Sequence, residues 1–131
     1  VELGAGFDCG GSPLSGNYSW VVAETRSPGA TFGKKLRRLP AHTANAEVGY
    51  AFDAGLSMAA ALRWSGKAFE NDLNTVVLKS YTLVDLRASM RLAEGVDIYG
   101  RVENLFDKYY ETAFNYNSLG RSIHAGIRGR F

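Results

Sequence analysis

Polar and apolar residues alternate along this chain with period two. From Ala44 to Phe52 the even positions read Ala44, Ala46, Val48, Tyr50 and Phe52, while the odd ones include Asn45, Glu47, Gly49 and Ala51. Successive side chains of a β-strand point to opposite sides, so this spacing predicts a two-faced strand. The same alternation sets Met58, Ala60, Leu62 and Trp64 against Ala59, Ala61, Arg63 and Ser65, and Val84, Leu86, Ala88, Met90 and Leu92 against Asp85, Arg87, Ser89 and Arg91. Val96, Ile98, Gly100 and Val102 oppose Asp97, Tyr99, Arg101 and Glu103; Ile123, Ala125, Ile127, Gly129 and Phe131 oppose His124, Gly126, Arg128 and Arg130. Val1 to Phe7 and Gly16 to Ala23 read as two further, less sharply alternating strands, which makes seven.

The connections alternate in length. Asp8 to Pro13, Asp53-Ala54-Gly55 and Ala93-Glu94-Gly95 are short and rich in the Gly, Asp or Pro of tight turns. The stretches Thr25 to His42, Gly66 to Ser80 and Asn104 to Gly120 are long. With up-and-down strand order, every short turn falls at one end of the sheet and every long loop at the other. That asymmetry is expected of an outer-membrane barrel, with short periplasmic turns and longer extracellular loops.

Charge placement bears on which face meets what. In the five clean strands Glu47, Arg63, Asp85, Arg87, Arg91, Asp97, Arg101, Glu103, Arg128 and Arg130 keep to the polar parity, and only Arg121, at the loop end of its strand, departs from it. A soluble half-buried sheet would do the same, but it would have to close an apolar core from seven strands with long loops on one side only. On a lipid-facing wall an Arg or Lys near mid-membrane costs about 2–4 kcal/mol, which gives the parity a physical cause. Phe7, Phe52 and Phe131 lie on the apolar parity beside short turns or at the terminus, and Trp64 lies at the opposite end of its strand, where interfacial aromatic girdles belong. Open strand edges are not tolerated in hydrocarbon, so seven strands are expected to be part of a larger closed sheet with one or more strands ahead of Val1.

Composition excludes more than it identifies. The 131 residues carry a net charge of +2, too small to argue for nucleic acid, and no uninterrupted apolar run reaches the length of a membrane helix. The single Cys9 excludes an internal disulfide and a multi-cysteine metal site.

The residues Val102-Glu103-Asn104-Leu105-Phe106-Asp107-Lys108-Tyr109-Tyr110-Glu111, followed by Tyr116-Asn117, Gly120-Arg121 and a closing Arg130-Phe131, closely resemble the C-terminal signature of TonB-dependent outer-membrane receptors. Ser80 to Ala88 resembles their penultimate hairpin entry, and Gly16 to Trp20, Ala23-Glu24, Arg38-Leu39-Pro40 and His42 to Asn45 resemble earlier strands of that barrel. The turn Asp8 to Pro13 departs from the longer connection expected in the family and leaves the register of the first two strands open.

The resemblance implies an all-β fold, an antiparallel up-and-down transmembrane β-barrel segment. Residues 1–131 would be the C-terminal part of a barrel of about twenty-two strands, with the plug domain absent from this chain. It implies a receptor for TonB-dependent, energy-coupled import of a scarce nutrient such as a ferric siderophore, haem or cobalamin, and not an enzyme. A small structural or adhesive outer-membrane barrel is the rival reading. The implied partners are outer-membrane lipid and lipopolysaccharide, the remainder of the barrel and its plug, TonB through the missing N-terminal part, the barrel-assembly machinery and a small-molecule chelate; no nucleic acid and no cofactor are implied.

Several positions carry specific expectations. Asn104 and Asp107 can bond back to nearby backbone and end the strand, with Leu105 and Phe106 packing at the rim. Phe131, with Ile123 and Ile127 on the same face, resembles the assembly signal of outer-membrane barrels. Phe114, Asn115 and Tyr116 are the ligand candidates of the last loop, where flat amphipathic side chains can grip a large ligand, while Tyr109 and Tyr110 are expected to pack at the rim. Lys34, Lys35, Arg37 and Arg38 form a basic run open to lipopolysaccharide, to solvent or to an anionic chelate. The lumen-wall charges Arg87, Arg91, Arg101, Arg128, Arg130, Asp85, Asp97 and Glu103 read as mutual pairs and plug contacts. Ser122, His124 and Asp97 do not make a convincing catalytic triad, and His42 and His124 lack metal-ligand spacing.

Overall fold

A computed structural model of the chain describes residues 1–130; Phe131, the terminal member of the expected assembly signal, lies outside the described residues. The strands in chain order are β1 (Glu2–Asp8), β2 (Pro13–Trp20), β3 (His42–Ala51), β4 (Leu56–Ser65), β5 (Ala68–Phe69), β6 (Val77–Leu78), β7 (Tyr81–Ala93), β8 (Val96–Glu103), β9 (Glu111–Ala113), β10 (Tyr116–Asn117) and β11 (Ser122–Gly129). Seven of them form one antiparallel sheet in the order β1-β2-β3-β4-β7-β8-β11, and the pairs β5-β6 and β9-β10 are separate hairpins within the long loops. Apart from these hairpins, neighbours in the sheet are neighbours in the chain, which is the expected up-and-down order.

Register carries the alternation across the whole sheet. Directly opposed residues share a face, and one line of them runs Phe7, Leu14, Val48, Ala60, Leu86, Val102, Ile123 through all seven strands. A line two residues nearer the loops runs Ala5, Gly16, Ala46, Leu62, Val84. The opposite face carries the line Gly49, Ala59, Arg87, Arg101, His124. A one-residue slip anywhere would mix the two faces.

The apolar face covers no core. Ile123 and Ile127 are each 73% exposed, and the only buried residues among those described are Ala68, Leu78, Leu83 and Asn104, all at the long-loop end. A soluble sheet would bury a face of this extent under a second layer, whereas a wall against lipid leaves it bare of protein. Leu83 shares the parity of Asp85 and Arg87, so its burial at the loop end departs from the two-faced pattern.

The short turns explain where the strands begin. Cys9 and Ser12 exchange both backbone hydrogen bonds, at 3.2 and 3.3 Å, around Gly10 and Gly11, whose φ angles of 63° and 87° suit a tight hairpin. The turn is therefore shorter than Asp8 to Pro13, pairing runs out to Asp8 opposite Pro13, and β2 starts at Pro13 and ends at Trp20 instead of spanning Gly16 to Ala23. Asp53-Ala54-Gly55 closes β3 onto β4 with Gly55 at φ 77°, and Glu94-Gly95 closes β7 onto β8 with Gly95 at φ 74°. β7 is longer than the Val84 to Leu92 alternation predicts, because Tyr81, Thr82 and Leu83 also pair with β4. Irregular register between Arg91 and Ala93 leaves Leu92 as the extra residue of a bulge.

Aromatic residues sit at both rims of the apolar face. His42 lies opposite Trp20, stacks on it with ring centroids 6.2 Å apart, and its Nδ1 is 2.6 Å from the Tyr18 hydroxyl. At the turn end Tyr50 and Phe52 meet edge to face at 4.5 Å.

Candidate functional site

The three long loops meet at one end of the sheet, and a single carboxylate joins them. Glu70 follows β5 in the second loop. It receives the Arg38 guanidinium of the first loop, with Nε 3.1 Å from both carboxylate oxygens and Nη2 also on Oε1, and it accepts the Phe114 amide of the third loop at 3.1 Å. The Arg38 hydrogen bond, and after it the Phe114 amide, hold the Glu70 carboxyl below its ordinary pKa, and the same pairing raises that of Arg38.

Local chemistry prepares each partner. Arg38 adopts φ 56° and its amide donates to the Phe69 carbonyl at 2.6 Å, which brings its side chain beside the next residue, Glu70. Asn71 closes the second loop by accepting from the amides of Thr75 and Val76 at 3.0 and 3.2 Å. Asn74, at φ 58°, pairs its side-chain amide with the Lys35 backbone, accepting at 2.7 Å and donating at 2.9 Å. In the basic run, Arg38 and, at 3.9 Å, Arg37 with Asp72 thus tie the loops to one another, while Lys34 and Lys35 have no ion-pair partner among the described residues.

The third loop starts at Asn104. Its side chain accepts from the Lys108 amide at 2.8 Å and donates to the Lys108 carbonyl at 3.0 Å, its own amide donates to Asp85 at 2.9 Å, and it is only 4% exposed. Positive φ at Asn104 and Asp107, both 51°, turns the chain out of the strand. Asp107 reaches across the loop to accept the Arg121 amide at 2.8 Å, which sets the start of β11 and accounts for Arg121 lying outside the strand parity. Leu105 is half-buried and donates its amide to Val84 at 2.8 Å, but Phe106 does not pack at the rim and stands 74% exposed. The physical reason is the turn closed by the Asp107 amide on the Asn104 carbonyl at 2.9 Å, which puts Phe106 at its apex.

The ligand candidates Phe114, Asn115 and Tyr116 lie together at the tip of the β9-β10 hairpin, with Asn115 at φ 60° and Tyr116 75% exposed. Tyr110 packs on Tyr81 at 4.5 Å between centroids. Tyr109 is exposed instead, its hydroxyl 2.8 Å from Glu111 and 2.9 Å from Asn117; the Glu111 carboxylate raises its pKa. Sequence reasoning missed Glu70, Asn71 and Asn74. The Asn-rich stretch around them was the available signal, since Asn favours turns and left-handed backbone.

On the polar face, Asn45 donates to Asn17 at 2.9 Å, Arg63 pairs with Asp85 at 2.9 Å, and Arg87 spans β4 above Ala59 and Ala61 to reach Glu47. Ser122 donates to Glu103 at 3.1 Å and His124 stands 3.8 Å from the same carboxylate, whereas Asp97 pairs with Arg91 at 3.9 Å, so Asp97 is not brought to Ser122 and His124. No cluster of three or more His, Cys, Asp or Glu able to hold a metal occurs among the described residues.

Comparison with known proteins agrees with this architecture. The chain matches the family described as "TonB dependent receptor-like, beta-barrel" over residues 1–105. It is 30% identical over 131 residues to the vitamin B12 transporter BtuB of Photobacterium profundum, covering all of this chain and 21% of that protein, and 31% identical over 104 residues to BtuB of Vibrio cholerae, covering 76% and 17%. Among solved structures, the siderophore receptor PiuA of Acinetobacter baumannii superposes with a TM-score of 0.88 at 22% identity, over 98% of this chain and 21% of that one. The ferric-catecholate import receptor Fiu of E. coli superposes with a TM-score of 0.83 at 21% identity, over 99% and 20%. The chain thus spans about a fifth of the length of the relatives it matches. Over that span, two-faced strands, one-sided loops and family match coincide, and the chain belongs to the TonB-dependent receptor-like β-barrel family, whose members reside in the bacterial outer membrane.

Proposed function

We propose that the chain is the C-terminal part of the barrel of an outer-membrane receptor that imports a scarce chelate, a ferric siderophore, haem or cobalamin, with energy delivered through TonB. The observation that carries this reading is the convergence of all three long loops at one end of a family barrel wall, joined through Glu70. In this reading the apolar face meets lipid, the polar face lines a lumen filled by a plug, and Phe114, Asn115 and Tyr116 touch the ligand from the third loop. Large flat chelates bury their surface against aromatic side chains, and two of these three are aromatic. Lys34 and Lys35 face outward to lipopolysaccharide phosphates or an anionic chelate. Asn104, Leu105, Phe106 and Asp107 act as the strand-exit signature, and Ile123, Ile127 and Phe131 act as the signal for the barrel-assembly machinery.

Uptake decides the matter. Cells whose only receptor is the full-length protein are offered radiolabelled cobalamin, ferric siderophores and haem, with and without functional TonB. Accumulation of one of these only when TonB is present is expected; accumulation of none, or accumulation independent of TonB, contradicts the reading.

A further inference from the structure

Glu70 is held firmly within its own loop. Its amide donates to the Val76 carbonyl at 3.0 Å, and Asn71, which accepts from two amides of the turn between them, also donates to the Thr75 hydroxyl at 2.6 Å. The carboxylate presented by this turn is only 18% exposed, while the Arg38 guanidinium laid on it is 55% exposed. A bulge in the first loop delivers Arg38. The Val21 amide donates to Ala41 at 2.9 Å and the Leu36 amide to Ala23 at 3.1 Å, which leaves Arg37, Arg38, Leu39 and Pro40 opposite Val22 alone. The third loop is tied more sparingly. Among the described residues, the Phe114 amide on Glu70 is the only hydrogen bond from the β9-β10 hairpin to another loop. Tyr116, at the same tip, is close enough to Arg38 to affect its ionisation.

One carboxylate thus carries the hydrogen-bonded link between the ligand candidates and the rest of the loop cluster. We propose that Glu70 is a positioning residue for ligand capture: its ionised carboxylate holds the Phe114 to Tyr116 tip in register with the first loop, and the affinity for an imported chelate depends on that hold. The affinity rests on the receptor reading; the hold rests on the loop geometry alone. A carboxylate can take a guanidinium fork and an amide at the same time because both of its oxygens accept, whereas Gln has one accepting oxygen and Arg has none. The other charged and titratable groups around it are engaged elsewhere. Arg37 and Asp72 stand 3.9 Å apart, Glu111 accepts from Tyr109, and His42 lies against Trp20 and Tyr18 at the end of β3. Protonation of Glu70 is therefore the step that frees the tip.

The test uses the full-length receptor with Cys9→Ser and pairs of nitroxide labels, Ser27→Cys with Thr112→Cys to span the first and third loops and Ser27→Cys with Leu73→Cys to span the first and second. At neutral pH both distance distributions are narrow with Glu70 in place, and Glu70→Gln broadens the first-to-third one. At about pH 3, below the ordinary carboxylate range, the native residue gives the broad distribution as well and the Gln variant does not change further. Exchanging the charges, Arg38→Glu with Glu70→Arg, restores the first-to-second distance but not the first-to-third one, because Arg cannot accept the Phe114 amide. A narrow first-to-third distance in the Gln variant, or its recovery in the exchanged pair, overturns the proposal. Cells carrying each variant are also offered radiolabelled cyanocobalamin, ferric citrate, a ferric catecholate and haemin. For the probe that accumulates, Glu70→Gln raises the half-saturating concentration by about tenfold or more, the scale of one lost charge-assisted contact, with the maximal rate within about twofold and heat-modifiable gel mobility unchanged. An unchanged half-saturating concentration in a working importer refutes the positioning role alone. Accumulation of no probe with Glu70 in place refutes the receptor reading and the affinity claim with it, while the distances still decide the hold.

Discussion

Replacing Asn104 by Ala should loosen the exit of β8 into the third loop by an amount set by three identifiable losses. The side chain makes two hydrogen bonds to the Lys108 backbone, at 2.8 and 3.0 Å, and each has a net worth of about 0.5–1.5 kcal/mol. Ala also tolerates the φ of 51° less well than Asn, which adds ~1 kcal/mol. The total is about 2–4 kcal/mol of local opening, or roughly a 30- to 700-fold faster hydrogen exchange at the Lys108 amide. The assay is amide exchange read by mass spectrometry on the full-length receptor in detergent. Asn104→Gly relieves the backbone but not the lost bonds, and should fall between wild type and Ala. Asn104→Asp keeps the acceptor for the Lys108 amide and should be milder than Ala. Exchange in the Ala variant within about threefold of wild type would refute the reasoning, because less than ~1 kcal/mol would then reside in the motif. A Gly variant as protected as wild type would assign the whole effect to backbone strain and none to the two bonds.

Glu70 gives a pH signature. Its folded pKa lies below the ordinary carboxylate value, so its contribution is fully present above that value and is lost as pH falls through the lowered one. Protection of the Phe114 amide should therefore hold at neutral pH and fall in acid, and Glu70→Gln should be weakly protected at every pH; an acid-insensitive wild type would contradict this. Gly95→Ala should impair assembly more than Gly55→Ala. Both sit at positive φ, at 74° and 77°, but a Cβ at Gly95 would be 2.7 Å from the Arg130 carbonyl, against 3.4 Å from the Arg91 side chain at Gly55. Equal yields of heat-modifiable barrel for the two would count against it. Ala60→Arg, on the apolar face of β4, should cost about 2–4 kcal/mol in folding into lipid vesicles, with Ala61→Arg on the other face costing markedly less even though it crowds the Arg87–Glu47 pair; equal costs would refute the facing.

The wall of the barrel was legible because period-two alternation is a long-range signal repeated over strands of seven to thirteen residues. The two loop hairpins were not, since strands of two or three residues, such as Ala68–Phe69 and Glu111–Ala113, are too short to show any period. The end of β2 was misplaced because Val21 and Val22 prolong an apolar run past Trp20, while the regular pairing with β3 stops where Trp20 meets His42. Of the site, the Asn104 to Asp107 turn could be read from residue types alone, as Asn and Asp favour left-handed backbone and local bonds. Phe106 could not, because whether an apolar side chain packs or stands at a turn apex depends on the neighbouring loop. Glu70 carries no pattern at all: its role comes from three loops far apart in sequence meeting at one carboxylate.

The receptor reading turns on which face of the sheet meets lipid. Nitroxide labels placed one at a time at Ala59, Ala60, Ala61 and Leu62 of β4, in the full-length receptor reconstituted into vesicles, read this directly through their relative accessibility to oxygen and to a polar nickel complex. The account predicts oxygen-dominated relaxation at Ala60 and Leu62 and lower oxygen access at Ala59 and Ala61. Uniform accessibility along the strand, or the opposite alternation, would contradict it.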